Sequence, residues 1–204
     1  MTSLKSAIKR IFGNELFIIV VSGLPRSGTS MMMSALKAGG MPLLVDGIRE
    51  ADGNNPRGYY EYEPVKKLPK GSVDWIKSAK GKAVKIISAL IEYLPSNNHY
   101  KVIFMERDIE EILASQQRML ARRGVVEEKP ASDEDMQKSY QAHLKQVKSY
   151  FVENDWLDVI YVSYNKVLKD PDGEFQRVAK FLENVVDPSA MSRVVDPDLY
   201  RERH

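Results

Sequence analysis

Short apolar, β-branched runs alternate along the chain with stretches of helical spacing, and that alternation predicts the architecture. Leu16–Val21 is an unbroken apolar run of six residues, the pattern of a strand buried on both faces. It leads through Gly23-Leu24-Pro25-Arg26-Ser27-Gly28 into Thr29–Ala38, which predicts a helix ending at Gly39-Gly40. Pro42–Val45 is a shorter candidate strand. The polar region 46–57 follows, with Asp52-Gly53 and Asn55-Pro56 as breakers. A loop of that length in a compact domain usually serves function.

Tyr59–Leu68 and Ser72–Ala79 predict short helices, the second with Ser72 as N-cap and Gly81 as its stop. Ala83–Ile87 and Lys101–Met105 read as strands. Asp108 with Glu111 makes a capping box for a helix carrying Ile112, Leu113, Met119 and Leu120 to Gly124. A long polar helix runs over 132–154, with Tyr140, Leu144, Val147 and Phe151 on one stripe. Ordinary packing explains the stripe, and a lid or a homodimer face is the alternative. Leu157–Val162, rich in Val, Ile and Tyr, reads as another central strand. Asp170-Pro171 then forms N-cap and N1 of a helix whose Phe175, Val178, Ala179 and Leu182 recur at i, i+3, i+4 and i+7.

Strands separated by helices, without hairpin turns between them, predict an α/β chain: three α/β/α layers around a central, mostly parallel sheet. One domain over 1–204 is expected, with 1–15 as a helical extension in which Leu4, Ile8, Ile11 and Phe12 share a face. That segment reads either as a short helix packing on the domain or as an interfacial anchor.

Composition narrows the function. The chain of 204 residues has no Cys, which excludes disulfides and thiolate metal sites, and 30 Lys+Arg against 28 Asp+Glu leave a net charge of only +2. A general electrostatic case for nucleic acid or a membrane surface is therefore missing, and any cationic chemistry must come from a few placed residues. The longest early apolar run is far short of the ~20 residues that span a bilayer. A cytoplasmic protein that binds neither nucleic acid nor membrane is the expectation.

In parallel α/β sheets, ligands bind beyond the carboxyl ends of the strands, so the residues after each strand are the place to look. After the first stands Gly23-Leu24-Pro25-Arg26-Ser27-Gly28-Thr29-Ser30, with the G-x-x-x-x-G spacing of a P-loop-like phosphate cradle opening a helix. Its backbone N–H groups would form an anion nest reinforced by the helix dipole. An NTPase loop has Lys directly after the second glycine. Here Thr29 occupies that place and the cation is Arg26, which disfavours an ordinary ATPase or kinase.

Pro25-Arg26-Ser27-Gly28-Thr29-Ser30 resembles the loop of the sulfotransferase superfamily, Pro-(Lys/Arg)-Ser-Gly-Thr-(Thr/Ser), residue by residue. The family's second element is an Arg ending a strand and a Ser eight residues later on the next helix, and Arg107 and Ser115 stand so. Without the glycine loop, Arg107 pairing with Asp108 or Glu111 would be an equal reading. Tyr164–Pro171 and Arg177–Leu182 are similar to the family's penultimate strand-to-helix segment, and 55–61 to a stretch of small bacterial-type members. The resemblance covers about 16–184.

It implies transfer of a sulfuryl group from 3′-phosphoadenosine 5′-phosphosulfate to a hydroxyl or amine of a small-molecule or glycan acceptor, with no metal expected. Pro25, Arg26, Ser27, Gly28, Thr29 and Ser30 would hold the 5′ end of the donor, Arg26 also acting in catalysis, while Arg107 and Ser115 would clamp the 3′-phosphate. Two anion pockets along one sheet rim are thus expected to hold opposite ends of one molecule. The family uses His or Glu as base. His99 precedes its strand, His143 lies along a polar helix and His204 is terminal, so Glu61 is favoured, then Glu50, with Asp46 and Glu63 as further candidates. The late Arg-Lys-Gly-x-x-Gly-x-x-Lys segment of many members is missing, leaving Arg122, Arg123, Arg193, Arg201 or a partner chain to replace it. Tyr59, Tyr60, Tyr62 and Trp75 read as core or rim aromatics, with adenine stacking or an acceptor pocket as the alternative, and Met31-Met32-Met33 as helix packing. A non-catalytic nucleotide-binding protein and a small-metabolite kinase remain the alternatives.

Overall fold

The structure is a computed structural model that describes residues 17–48, 58–122, 124 and 132–195. The expected extension over 1–15 and most of the loop over 46–57 lie outside the described residues.

In chain order the elements are β1 (Ile18–Gly23), α1 (Thr29–Ala38), a 3₁₀ segment (Glu63–Lys70), α2 (Ile76–Ala79), β2 (Ala83–Lys85), a second 3₁₀ segment (Ser88–Tyr93), β3 (Tyr100–Glu106), α3 (Ile109–Arg122), α4 (Asp133–Glu153), β4 (Leu157–Ser163), α5 (Tyr164–Lys169), α6 (Pro171–Phe181) and α7 (Pro188–Ser192). The strands form a parallel sheet in the order β2-β1-β3-β4. Ile18 pairs with Tyr100 and Gly23 with Met105, while Glu106 pairs with Ser163, so the carboxyl ends of three strands finish nearly level.

Strand residues alternate between two faces. Ile19, Val21, Ile103 and Met105 pack with Met32, Met33 and Leu36 of α1 and with Phe175, Val178, Ala179 and Leu182 in and just after α6. Ile18, Val20, Val102 and Phe104 pack on the other side with Val147 and Phe151 of α4 and with Val65, Leu68 and Ile76. Both faces of the sheet are therefore covered, and of the α4 stripe Val147 and Phe151 are buried there with Leu144 packed against them. Asp170 caps α6 by accepting from the Gly173 N–H at 2.9 Å, as its sequence position predicts, and Ser132 caps α4 by accepting from the Asp135 N–H at 3.1 Å.

Several expectations are corrected. Pro42–Val45 is not a strand but a single bridge from Leu43 to Ala83. Its neighbour β2 has only three residues, so there is little ladder to extend. β2 itself stops at Lys85 rather than at residue 87, although the Ile86 N–H still donates to the Val21 carbonyl at 3.0 Å. The helix expected over 59–68 is confined to the 3₁₀ turns from Glu63, because Tyr60 has φ 52 and turns the chain first. Ser72 caps nothing as an N-cap: its N–H donates to Lys67 O at 3.3 Å to close the preceding turns, and α2 begins only after Trp75. β4 is the edge of the described sheet, not a central strand. Its apolar residues answer to coverage of the faces, as where Tyr161 meets Phe104 and Phe151 edge-on, and composition carries no information about an open hydrogen-bonding edge.

Tyr100 is fully buried at the start of β3, its hydroxyl donating to the Pro95 carbonyl at 3.1 Å. Burial holds its phenol well above the ordinary value, with a smaller opposing effect of Asn98. A raised folded-state value means the stabilisation is complete below the unfolded value of about 10 and is lost as pH rises through the folded one. Tyr100→Phe is expected to lose about 1 kcal/mol at neutral pH yet to lose less stability than the parent on going to about pH 11. Urea unfolding of both proteins at the two pH values checks this.

Candidate functional site

The loop after β1 takes its shape from three residues in positive φ: Gly23 at 146, Arg26 at 71 and Gly28 at 99. The Ser27 N–H donates to Leu24 O at 3.2 Å, closing the turn, and the Met32 N–H donates to Gly28 O at 3.1 Å, opening α1. Both glycines are required. A Cβ at 23 would lie 2.6 Å from the Met105 carbonyl oxygen, and one at 28 would lie 2.5 Å from Cδ2 of Tyr164. As N-cap, Gly28 brings no side chain to the first amides of α1, so the helix end keeps its positive character for an anion. Ser27 is buried, and its hydroxyl has no hydrogen-bond partner.

Arg107 leaves β3 at its carboxyl end, and the register brings it to this loop. Its Nη1 donates to the Arg26 carbonyl at 3.1 Å. Its Nε donates to Glu111 Oε2 at 2.8 Å, so the pairing with Glu111 considered above is real. The guanidinium also lies over the Tyr164 ring, 4.5 Å from the centroid. Burial raises the Tyr164 phenol above its ordinary value, and the Arg107 charge partly offsets this. Arg26 reaches the same place from the loop, its Nε donating to Ser115 Oγ at 3.0 Å. Ser115 is buried on α3. Arg26, Arg107 and Ser115 are thus contiguous, and the two elements expected to form anion pockets adjoin on one sheet rim. The box at the start of α3 is only half formed: Asp108 accepts from the Glu110 N–H at 2.8 Å, while the Glu111 carboxylate is engaged by Arg107 and Asn165.

A second group assembles at the end of β2. Lys85 is nine-tenths buried, and its ammonium donates to the Tyr59 carbonyl and lies 3.8 Å from Glu61 Oε1. Lys66 lies 3.7 Å from the other Glu61 oxygen, and Glu61 itself is 19% exposed. Ser30 Oγ donates to the same Tyr59 carbonyl at 3.4 Å. The segment that carries Glu61 is therefore tied to the first turn of α1, beside the glycine loop.

The other candidates are placed elsewhere. Asp46 serves as a backbone cap, accepting from the Glu63 N–H at 2.5 Å and the Ile48 N–H at 3.0 Å, and Glu63 pairs with Lys66 at 2.5 Å. His99 stands at the opposite end of the sheet, where its carbonyl accepts from the Ile18 N–H at 3.2 Å. His143 Nε2 lies 2.8 Å from Ser88 Oγ. Arg193 follows α7, whose Met191 packs against Gly39 at the far end of α1. Tyr59 and Trp75 are core residues, and Tyr62 meets Trp75 edge-on. Glu50, Arg123, Arg201 and His204 lie outside the described residues. Among the described residues no cluster of three His, Asp or Glu gathers to hold a metal, and no helix is long and apolar enough to cross a membrane.

The sulfotransferase domain family matches residues 18–197, most of the chain. The chain belongs to that family. The sulfotransferase domain of the olefin synthase from Synechococcus PCC 7002 is similar to it at 13% identity, with 95% of this chain and 86% of that one covered and a TM-score of 0.46. An unliganded sugar kinase from Janibacter sp. HTCC2649 is similar at 12% identity, with 86% of this chain and 98% of that one covered and a TM-score of 0.44. No curated protein matches the chain in sequence.

Within this sulfotransferase domain, sequence reading missed Lys85, Glu111, Tyr164 and Asn165 as members of the site. Lys85 and Tyr164 stand at or just after the carboxyl ends of β2 and β4, so the rule that singled out the loop could have found them. Nothing in the sequence joins Asn165 to Glu111, whose Oε1 accepts from Asn165 Nδ2 at 2.8 Å.

The two costs of filling a glycine can be separated here. Gly40 has φ 90 with open space around its absent Cβ, whereas Gly28 also faces Tyr164. Gly40→Ala is expected to cost about 1–2 kcal/mol, the left-handed penalty alone. Gly28→Ala is expected to cost more and also to weaken anion binding at the loop. Thermal unfolding of both variants, with a drop of about 2–4 °C per kcal/mol, measures the difference.

Proposed function

We propose that this chain transfers a sulfuryl group from 3′-phosphoadenosine 5′-phosphosulfate to a hydroxyl or amine of a small-molecule or glycan acceptor. The observation that carries this reading is the convergence of Arg26, Arg107 and Ser115 beside an uncapped helix N-terminus. A donor with phosphate groups at both its 3′ and 5′ positions matches a site that offers backbone amides on one side and two guanidinium groups with a hydroxyl on the other. ATP has no 3′-phosphate and would leave Arg107 and Ser115 unused.

The donor supplies an activated sulfur–oxygen bond. The acceptor oxygen or nitrogen bonds to sulfur as the bond to the 5′-phosphate breaks, and the departing phosphate keeps the electron pair. The amides of residues 27–29, with the hydroxyls of Thr29 and Ser30, stabilise the charge that develops on the leaving oxygen. Arg26 adds a cation at the same edge. Glu61 takes the acceptor proton: its carboxylate is partly exposed and is fixed beside the loop through Tyr59, Ser30 and Lys85. Lys85 adds a buried cation between this carboxylate and the loop segment.

Three measurements test the reading. In thermal-shift titration, 3′-phosphoadenosine 5′-phosphate is expected to stabilise the protein at concentrations where ATP with Mg²⁺ does not, by about 2.7 kcal/mol at a hundredfold excess over Kd. Arg107→Ala is expected to weaken the bisphosphate at least about tenfold while leaving ATP nearly unchanged. Equal small losses for both would refute the assignment, and Mg²⁺-dependent ATP turnover would indicate a kinase instead. Glu61→Gln is expected to lower kcat by about 10²-fold or more and to flatten the acid limb of the pH–rate profile. Normal turnover with an unchanged profile removes Glu61 as the base.

A further inference from the structure

We infer that Glu111 and Asn165 are positioning residues for the 3′-phosphate clamp: they hold the Arg107 guanidinium in its binding orientation before any donor arrives. The inference rests on the donor reading above.

Arg side chains are long, and fixing one on binding costs as much as about 2 kcal/mol of rotamer freedom. Here the cost is met within the fold. Glu111 Oε2 accepts from Arg107 Nε at 2.8 Å, and the Arg26 carbonyl accepts from Nη1 at 3.1 Å. The Tyr164 ring supports one face of the guanidinium at 4.5 Å. These partners set the plane of the group as well as its place. Glu111 is in turn fixed by Asn165, whose Nδ2 donates to Oε1 at 2.8 Å from the start of α5. The pair is enclosed: the side chains of Arg107 and Glu111 are 7% and 5% exposed.

Charge and geometry predict opposite signs for Glu111. A carboxylate beside a phosphate clamp repels the phosphate, so by charge alone its removal would tighten binding. As a positioning group, its removal frees the guanidinium and weakens binding. Glu111→Leu keeps the side chain's bulk but removes both acceptor oxygens, so neither the Arg107 Nε–H nor Asn165 Nδ2 keeps its Glu111 partner.

The test uses the full chain and two probes, 3′-phosphoadenosine 5′-phosphate and adenosine 5′-phosphate, which differ only in the 3′-phosphate. Calorimetry of Glu111→Leu is expected to show the bisphosphate weakened about tenfold, the size of one lost hydrogen bond to a charged group, and the monophosphate changed by less than about twofold. In ¹⁵N-arginine spectra of the ligand-free protein, the Arg107 Nε–H, assigned by its loss in Arg107→Ala, is expected to be protected from exchange in the parent and unprotected in Glu111→Leu. Equal loss for both nucleotides, an unchanged or tighter bisphosphate, or an Nε–H indifferent to the substitution each overturns the inference. Should Glu111→Leu fail to fold, Asn165→Ala carries the same comparison, with a smaller loss expected for the bisphosphate and equal binding changes for both probes overturning it. A parent protein that binds both nucleotides equally overturns the donor reading and this inference with it, and that failure is recognised because it appears before any substitution is made.

Discussion

The site depends on the parallel pairing of β1 with β3, which sets Gly23 opposite Met105. With that register, the loop that leaves β1 and the arginine that leaves β3 emerge at the same level of the sheet. The Arg107 guanidinium can then reach the Arg26 carbonyl, and Arg26 can reach Ser115 on the helix after β3. A shift of one residue would turn Arg107 to the other face. The glycines serve the same constraint: the chain at 23 and 28 passes so close to Met105 and Tyr164 that a Cβ at either position would collide.

Around this junction the molecule gathers charge that its composition gives no hint of. A chain with a net charge of +2 places two arginines and a buried lysine at one edge and interleaves them with Glu111 and Glu61. The pairing is costly to build, because buried ions must recover their lost hydration from close partners. Both oxygens of Glu111 are engaged by the clamp, and Glu61 has a lysine on each side. The two carboxylates therefore hold different environments: Glu111 is enclosed and paired with Arg107, whereas Glu61 is partly exposed between two lysines.

The glycine loop and the helix after it could be read from local order alone, because the turn needs positive φ at Gly23 and Gly28, whereas Arg107 and Ser115 were singled out only through the family resemblance. The helix through Phe175, Val178, Ala179 and Leu182 was legible for the same reason, as all four are fully buried at the predicted spacing. The region from 41 to 80 was read less well. There the chain is shaped by long-range bonds, such as those that Ser30 and Lys85 make to the Tyr59 carbonyl, and these override local helix preference.

Sequence by itself determined the α/β class, the glycine turn between β1 and α1 and the family resemblance, since periodicity and short motifs are properties of neighbours in the chain. Tertiary structure alone decided that the glycine loop and the Arg107–Ser115 element adjoin, that β4 lies at the edge of the described sheet, and that Asn165 reaches Glu111, the partner of Arg107, from 54 residues further along the chain. Those facts are set by strand order and register, which bring together residues that no local pattern connects.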